Sequence, residues 1–345
     1  MCLDKVKYEY YHILFIKNGM KISKKIINGK EYIYAIDSIY VAKGHTILKN
    51  KSLGRADKVK DISIKKKDFY EDILNEETKS RTSYWTKFAS TKFKKYVFVE
   101  KIELLRSKLF RGKESVGEIA KTAMNTAFMV DFIFNSNTIE GSKVPRERVE
   151  EIVKERNFAN DEVNNTIKAI YFVENKFKFN KASIKKLHDI LLKHEPSNLG
   201  FRKEKVVVGN MDVLDWQVIS KELDNLLVWY KEASQNTYPP ELAFLFYYKF
   251  ERIHPFKDGN GRTGRLIMNR ILKEHRYHPI IIWNKRRKAH LGAFRTYLEG
   301  KDENYLKFMS DQLEKTYEIY LEKIEKAFNL DAQMKYFLEP SEYNY

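Results

Sequence analysis

From Lys67 onward the chain places apolar residues at helical spacing and rarely interrupts them, since Gly and Pro together number 21, or 14 and 7, in 345 residues. That periodicity limits the fold more than any other feature. Ile119, Ala123, Ala127, Val130 and Phe134 recur at intervals of 4, 4, 3 and 4, the stripe of an amphipathic or largely buried helix. Val163, Ile167 and Ile170 repeat it, as do Ile184, Leu187, Ile190 and Leu191, with Ser183 placed to cap the last of these. Tyr238-Pro239-Pro240 opens a further helix, because proline's missing donor is harmless in a first turn, and Leu242, Phe246, Phe250 and Ile253 mark its buried face. Leu306, Met309, Leu313, Tyr317, Tyr320 and Ile324 continue the pattern near the C-terminus. We therefore expect a mainly α protein built as a helical bundle, with no internal repeat or low-complexity tract.

The first residues differ. Residues 1–70 hold 16 basic and 7 acidic side chains, so 9 of the 17 excess positive charges fall in the first fifth of the chain. Lys30 to Lys43 has the aromatic and β-branched content of strands, and Asn28-Gly29, Lys43-Gly44 and Leu53-Gly54 punctuate the region as turns. A small basic β-rich unit ending near residue 62 follows. The charge invites an anionic partner. The single cysteine, Cys2, excludes an internal disulfide and a cysteine-based zinc site. No signal-like leader and no run of about eighteen apolar residues is present, so the chain reads as soluble and cytoplasmic, with no membrane partner.

Two segments interrupt the helical pattern. Phe201 to Trp216 sets the β-branched run Val206, Val207 and Val208 beside Gly209-Asn210, the pattern of a hairpin or flap between helices. His254-Pro-Phe-Lys-Asp-Gly-Asn-Gly-Arg-Thr-Gly-Arg265 lies between an apolar helix and a second one that begins just beyond the glycines. A glycine loop leading into a helix N-terminus presents converging N–H groups and partial positive charge, which suit phosphate. Gly259 and Gly261 permit close approach, Asn260 offers an amide donor, and Arg262 and Arg265 sit three apart, so that both can point into the same anion site. Asp258 is a hard oxygen ligand for Mg²⁺ held jointly with phosphates, and His254 can accept a proton near neutral pH. The set favours phosphoryl or nucleotidyl transfer. It is neither a Walker A loop nor a dinucleotide fingerprint.

Residues His254, Phe256, Asp258, Gly259, Asn260, Gly261, Arg262 and Arg265 match without a gap the signature His-x-Phe-x-Asp/Glu-Gly-Asn-Gly-Arg-x-x-Arg, and the chain thereby resembles the Fic family. The resemblance implies an all-helical core with a β-hairpin flap, ATP and Mg²⁺ as cosubstrate and cofactor, and transfer of AMP to a Ser, Thr or Tyr hydroxyl of a target protein. His254 would be the general base and Asp258 the Mg²⁺ ligand. Gly259, Asn260, Gly261, Arg262 and Arg265 would hold the phosphates, and Val206 to Val208 would align the target. The expected organisation is residues 1–62 as a small basic β-rich extension, 63–114 as a helical linker region, 115–290, the stretch the resemblance covers, as the Fic domain with its inhibitory helix, and 291–345 as C-terminal helices.

Upstream, Ser136-Asn-Thr-Ile-Glu140-Gly141 is similar to the family's inhibitory motif. Taken alone, Glu140 reads as a solvated carboxylate or a local cap. Within the resemblance it pairs with Arg265 and restrains transfer. The resemblance also leaves open removal of AMP, use of another nucleotide, and a nucleotide-regulated binding protein without catalysis. The abundant Tyr and Phe, 22 of each, supply material for a homodimer, and no clear nucleic-acid partner is indicated.

Overall fold

The computed structural model describes residues 21–59, 62–155, 160–206, 213–298 and 302–338. The described residues divide into two compact units, those within 21–84, 99–124 and 317–338 in one, and those within 85–98 and 125–316 in the other. Within the first, β1 (Lys21–Ile27), β2 (Lys30–Ala42) and β3 (His45–Arg55) form an antiparallel sheet in that order. Asn28-Gly29 and Gly44 make the tight turns, with positive φ at all three. Leu53-Gly54 does not make a turn. Gly54 lies inside β3 at a register shift opposite Ile33, and its φ of 117° belongs to a bulge that leaves Leu53 buried.

The helices of this unit are α1 (Ile62–Trp85), most of which lies here, and α3 (Val99–Ser115); α2 (Thr91–Tyr96) belongs to the second unit. The odd-numbered face of β2, with Ala35, Ile39 and Val41, packs with Leu53 on Phe69 and Ile73 of α1. Around this apolar cluster runs a buried charge network. Arg81 donates to Glu103 at 2.5 Å and to the Val41 carbonyl at 2.6 Å, while Glu77 accepts from Arg106 and Arg111, and Arg111 also reaches Asp37 at 2.9 Å. Such charges are tolerated only because each is paired, so the network fixes where β2 meets α1 and α3.

The second unit holds the site. Its helices include α4 (Glu118–Ile139), most of which lies here, then α5 (Arg146–Glu155), α6 (Asp161–Asn175), α7 (Lys181–Leu191), α8 (Ile219–Asn236), α9 (Pro239–Ile253), α10 (Asn260–Glu274) and α11 (Arg287–Leu298). The long α12 (Asp302–Leu338) buries all six apolar residues of its sequence stripe. α9 begins at the expected prolines, and its four stripe residues are buried. α7 starts earlier than Ser183 suggests: Asn180 is the cap, its side chain accepting from the Ser183 N–H at 2.8 Å. On α4 the stripe is buried only toward its C-terminal half, where Val130 is inside, whereas Ile119 is 89% exposed. α4 also runs past Phe134 to Ile139, because the first breaker is Gly141, at φ 105°.

Replacing Glu77 with Ala removes the partner that Arg106 and Arg111 share. We expect a loss of about 3 kcal/mol, the low end for breaking a buried ion pair, read as a lower urea midpoint by far-ultraviolet circular dichroism; a change below about 1 kcal/mol, the range of an exposed pair, would refute the importance of the network.

Candidate active site

α9 ends because His254 adopts a left-handed conformation, φ 48° and ψ 61°, which a non-glycine residue holds only under constraint. The constraint is visible. The His254 N–H donates to the Phe250 carbonyl at 3.0 Å, and the His254 carbonyl accepts from buried Arg202 Nε at 2.7 Å. The imidazole Nδ1 lies 3.3 Å from the Glu251 carbonyl, an acceptor only, so Nδ1 carries the proton and Nε2 is left as the basic nitrogen. Burial pushes the His254 pKa down to about 4, keeping the ring neutral at pH 7.

After Pro255 the loop is held from within. Phe256 is fully buried and stacks on His188, with centroids 3.7 Å apart and planes 6° from parallel. Asn260 accepts from the Phe256 N–H at 3.0 Å and donates to its carbonyl at 2.9 Å, so its side chain closes the loop. What Asn260 offers outward is its main-chain N–H, one of the unpaired donors at the start of α10. Gly259 turns into the helix at φ 76°, and a Cβ there would lie 2.5 Å from Leu192. Gly264, outside the eight-residue signature, lets α10 approach α9: an added Cβ would meet the Tyr247 ring at 2.8 Å.

The two arginines diverge. Arg262 donates to Asp258 at 3.1 Å and to Glu162 at 3.4 Å, and it lines a hollow of about 440 Å³ with them. Arg265 faces a cleft of about 750 Å³ that also contains His254, Asp258 and the Gly259 to Gly261 backbone. Glu140 and Asp258 border both hollows. Arg265 is 2% exposed and donates to Ser136 Oγ and the Ser136 carbonyl, each at 3.0 Å, to Tyr247 Oη at 3.2 Å and to Glu140 Oε1 at 2.7 Å. Glu140 therefore sits where a phosphate would meet the N-terminus of α10. Its Oε1 lies 2.1 Å from the place a Gly261 Cβ would take.

Several participants lacked a signal in the sequence. Arg202 also donates to the Glu204 carbonyl at 3.0 Å and to the Leu214 carbonyl, gripping both limbs of the expected flap, and the Leu214 N–H reaches the Arg252 carbonyl at 3.3 Å. Val206 lies on the first limb; Val207 and Val208 lie outside the described residues. Glu251 stands one turn before His254, a spacing that could have pointed to it. Burial, with the Glu140 charge in support, pushes its carboxyl up to about 8, and one of its oxygens has no partner.

One cleft in this helical protein thus gathers the buried Arg265, the N-terminal end of α10 and a histidine kept neutral by burial. Residues 178–272 match the Fic/DOC family. The chain is 35% identical over 143 residues to the protein adenylyltransferase Fic of Drosophila mojavensis, a match covering 40% of this chain and 28% of that one. Against the Drosophila melanogaster protein of the same name, identity is 27% over 237 residues, covering 65% and 48%. The matched stretch thus spans half or less of these relatives. The fold is that of a Fic domain containing signaling protein from Bacteroides thetaiotaomicron, with a TM-score of 0.58, 18% identity and coverage of 66% of this chain and 97% of the other. Fic-1 from C. elegans gives 0.55 at 16% identity, covering 76% and 86%. Residues 178–272 thus carry a segment of Fic/DOC type, in a chain whose fold is that of these solved Fic structures.

The His254 imidazole should titrate near pH 4 instead of near 6.5 in a proton–carbon correlation series, and a midpoint above 6 would contradict its burial. Glu251 has the opposite sign: between about pH 4.5 and 8 the native state retains a proton that the unfolded chain has released, so stability falls as pH rises through that window. Glu251→Gln should remove that part of the slope, measured by urea unfolding at pH 5, 7 and 8.5.

Proposed function

We propose that the protein is an adenylyltransferase that moves AMP from ATP to a Ser, Thr or Tyr hydroxyl of a target protein and is restrained by its own Glu140. The observation carrying this reading is the position of the Glu140 carboxylate, bound to Arg265 and lying against Gly261 in the cleft that also holds His254. The curated relatives named protein adenylyltransferase support the chemistry.

In this reading the target hydroxyl gives its proton to His254 Nε2 as its oxygen bonds to the α-phosphorus. The bond from that phosphorus to the α–β bridging oxygen breaks, and pyrophosphate leaves. The N–H groups of Asn260 to Arg262 face the triphosphate, where developing charge meets donors already in place. Arg265 takes the γ-phosphate once Glu140 has yielded, and Arg262 assists from the adjoining hollow. Asp258 has a half-exposed side chain and fits the single protein carboxylate that Mg²⁺ needs when phosphates and water complete its shell. Among the described residues no cluster of three or more His, Cys, Asp or Glu offers a site independent of substrate. The bound ion would neutralise phosphate charge. The flap that Arg202 holds at its base would align the target chain beside the cleft, the role this reading gives to Val206, Val207 and Val208.

Incubation with α-labelled ATP and Mg²⁺ tests both parts. Glu140→Gly should incorporate label roughly tenfold or more above wild type, and adding His254→Ala should remove 10²-fold or more, about the range for a general base. γ-Labelled ATP should leave no label on protein. Equal labelling by wild type and Glu140→Gly would remove the inhibitory role, and label from the γ position would replace nucleotidyl by phosphoryl transfer.

A further inference from the structure

The three-stranded sheet separates its charges by face. One face packs on α1, and its lysines are matched there: Lys49 pairs with Glu76 at 3.1 Å and Lys51 with Asp72 at 2.5 Å, while Lys24 pairs with Glu31 at 3.2 Å on the same side. Both sheet carboxylates, Glu31 and Asp37, fall on this side by strand alternation.

The opposite face is different in kind. Tyr32 and Tyr34 stand on the central strand, both partly exposed, with Lys25 directly across from Tyr32 on β1 and Arg55 across from it on β3. Lys21 and Lys30 extend the same face, and the Lys25 ammonium lies 4.9 Å from the centre of the Tyr34 ring. Among the described strand residues no Asp or Glu points to this side; Asp57, beyond the end of β3, pairs with Arg55. Asn50 and Ser52 supply uncharged polar groups between the cations. Packing against the helices accounts for the other face and leaves this one without a role in the core.

We infer that this sheet face binds single-stranded nucleic acid, with Tyr32 and Tyr34 as the stacking platform and Lys21, Lys25, Lys30 and Arg55 as contacts to the phosphates. The chemistry favours it over an acidic protein surface. Carboxylates would satisfy the cations alone, whereas adjacent aromatic rings within a cationic field suit a polymer that alternates flat bases with negative charges. A duplex presents its phosphates without free base faces and leaves the tyrosines unused. The strand spacing also fits: Tyr32 and Tyr34 are two residues apart, roughly 6.6 Å along a strand that rises about 3.3 Å per residue, close to the span of consecutive unstacked nucleotides. The assignment uses the basic extension and does not depend on the adenylyltransferase reading.

Fluorescence polarisation with the full chain and fluorescein-labelled U12, dU12 and a 12-base-pair DNA duplex tests it. We expect both single strands to bind at low salt at least about tenfold more tightly than the duplex, with a log–log salt slope reaching roughly −3 for four neutralised phosphates. Tyr32→Ala/Tyr34→Ala should weaken single-strand binding about tenfold or more, with Tyr32→Phe/Tyr34→Phe restoring most of it. Lys25→Glu/Lys30→Glu should weaken binding and flatten the slope. Tighter binding of U12 than dU12 would assign the face to RNA, and equal binding to single strands of either sugar. Absence of single-strand binding, an Ala pair that binds as wild type does, or equal competition by polyglutamate at matched charge would overturn the inference. Unchanged far-ultraviolet circular dichroism of each variant separates these outcomes from misfolding.

Discussion

The guanidinium of Arg265 sets the terms for the unit that holds the cleft. It is 2% exposed, and a charge so placed must find partners or force the surrounding structure apart. It finds them on two other helices: Ser136 and the Glu140 that follows α4, and Tyr247 of α9. Four of its five N–H bonds are thereby engaged. The C-terminal end of α4, the middle of α9 and the first turns of α10 are consequently held in one arrangement. The glycines make that approach sterically possible, Gly264 toward Tyr247 and Gly261 toward Glu140. A leucine core would have held the helices together as well, but it would not have left a fixed cation facing a helix N-terminus.

The histidine illustrates how a strained residue is kept in place. Left-handed backbone at His254 costs of order 1 kcal/mol or more, and it persists because Phe250 and Arg202 hold the peptide groups on either side. Arg202 does this from the end of α9, where free carbonyls concentrate partial negative charge. The same guanidinium reaches both limbs of the flap, so the orientation of the imidazole and the base of the flap share one anchor.

Much of this site was legible from its spacing. The run from His254 to Arg265 places a histidine, a carboxylate, glycine N–H groups and two arginines at fixed offsets along one loop and one helix, and those offsets survive folding because the loop bonds to itself through Asn260. The start of α9 was legible for a similar reason, since Pro239 and Pro240 allow a helix to begin but not to pass through them. Arg202 was not legible: its partners are main-chain carbonyls, which every residue has, so nothing in the sequence distinguishes them. Asn180 and Ser183 are both good caps, and only the backbone chose between them. The periodicity of α4 correctly gave a helix, yet a stripe cannot say how far along it the covering extends, and Ile119 is left exposed. Gly54 read as a turn because bulges and turns draw on the same conformational freedom.

The placement of Glu140 has a consequence for how restraint and binding are coupled. Only a glycine at 261 leaves room beside the α10 backbone for the carboxylate, and a phosphate oxygen approaching the same N–H groups needs that room as well. In the proposed function, inhibitor and substrate would be negative groups competing for one steric gap and one guanidinium, so whatever weakens the Glu140 contact would favour triphosphate binding in the productive pose. Ser136 and Tyr247 bond to other donors of Arg265 and can stay in place when Glu140 leaves, so the guanidinium does not become an uncompensated buried charge during the exchange. On the proposed function, the exchange would move one carboxylate at the end of α4, and the next residue, Gly141, already at φ 105° where other residues would be strained, could absorb that movement.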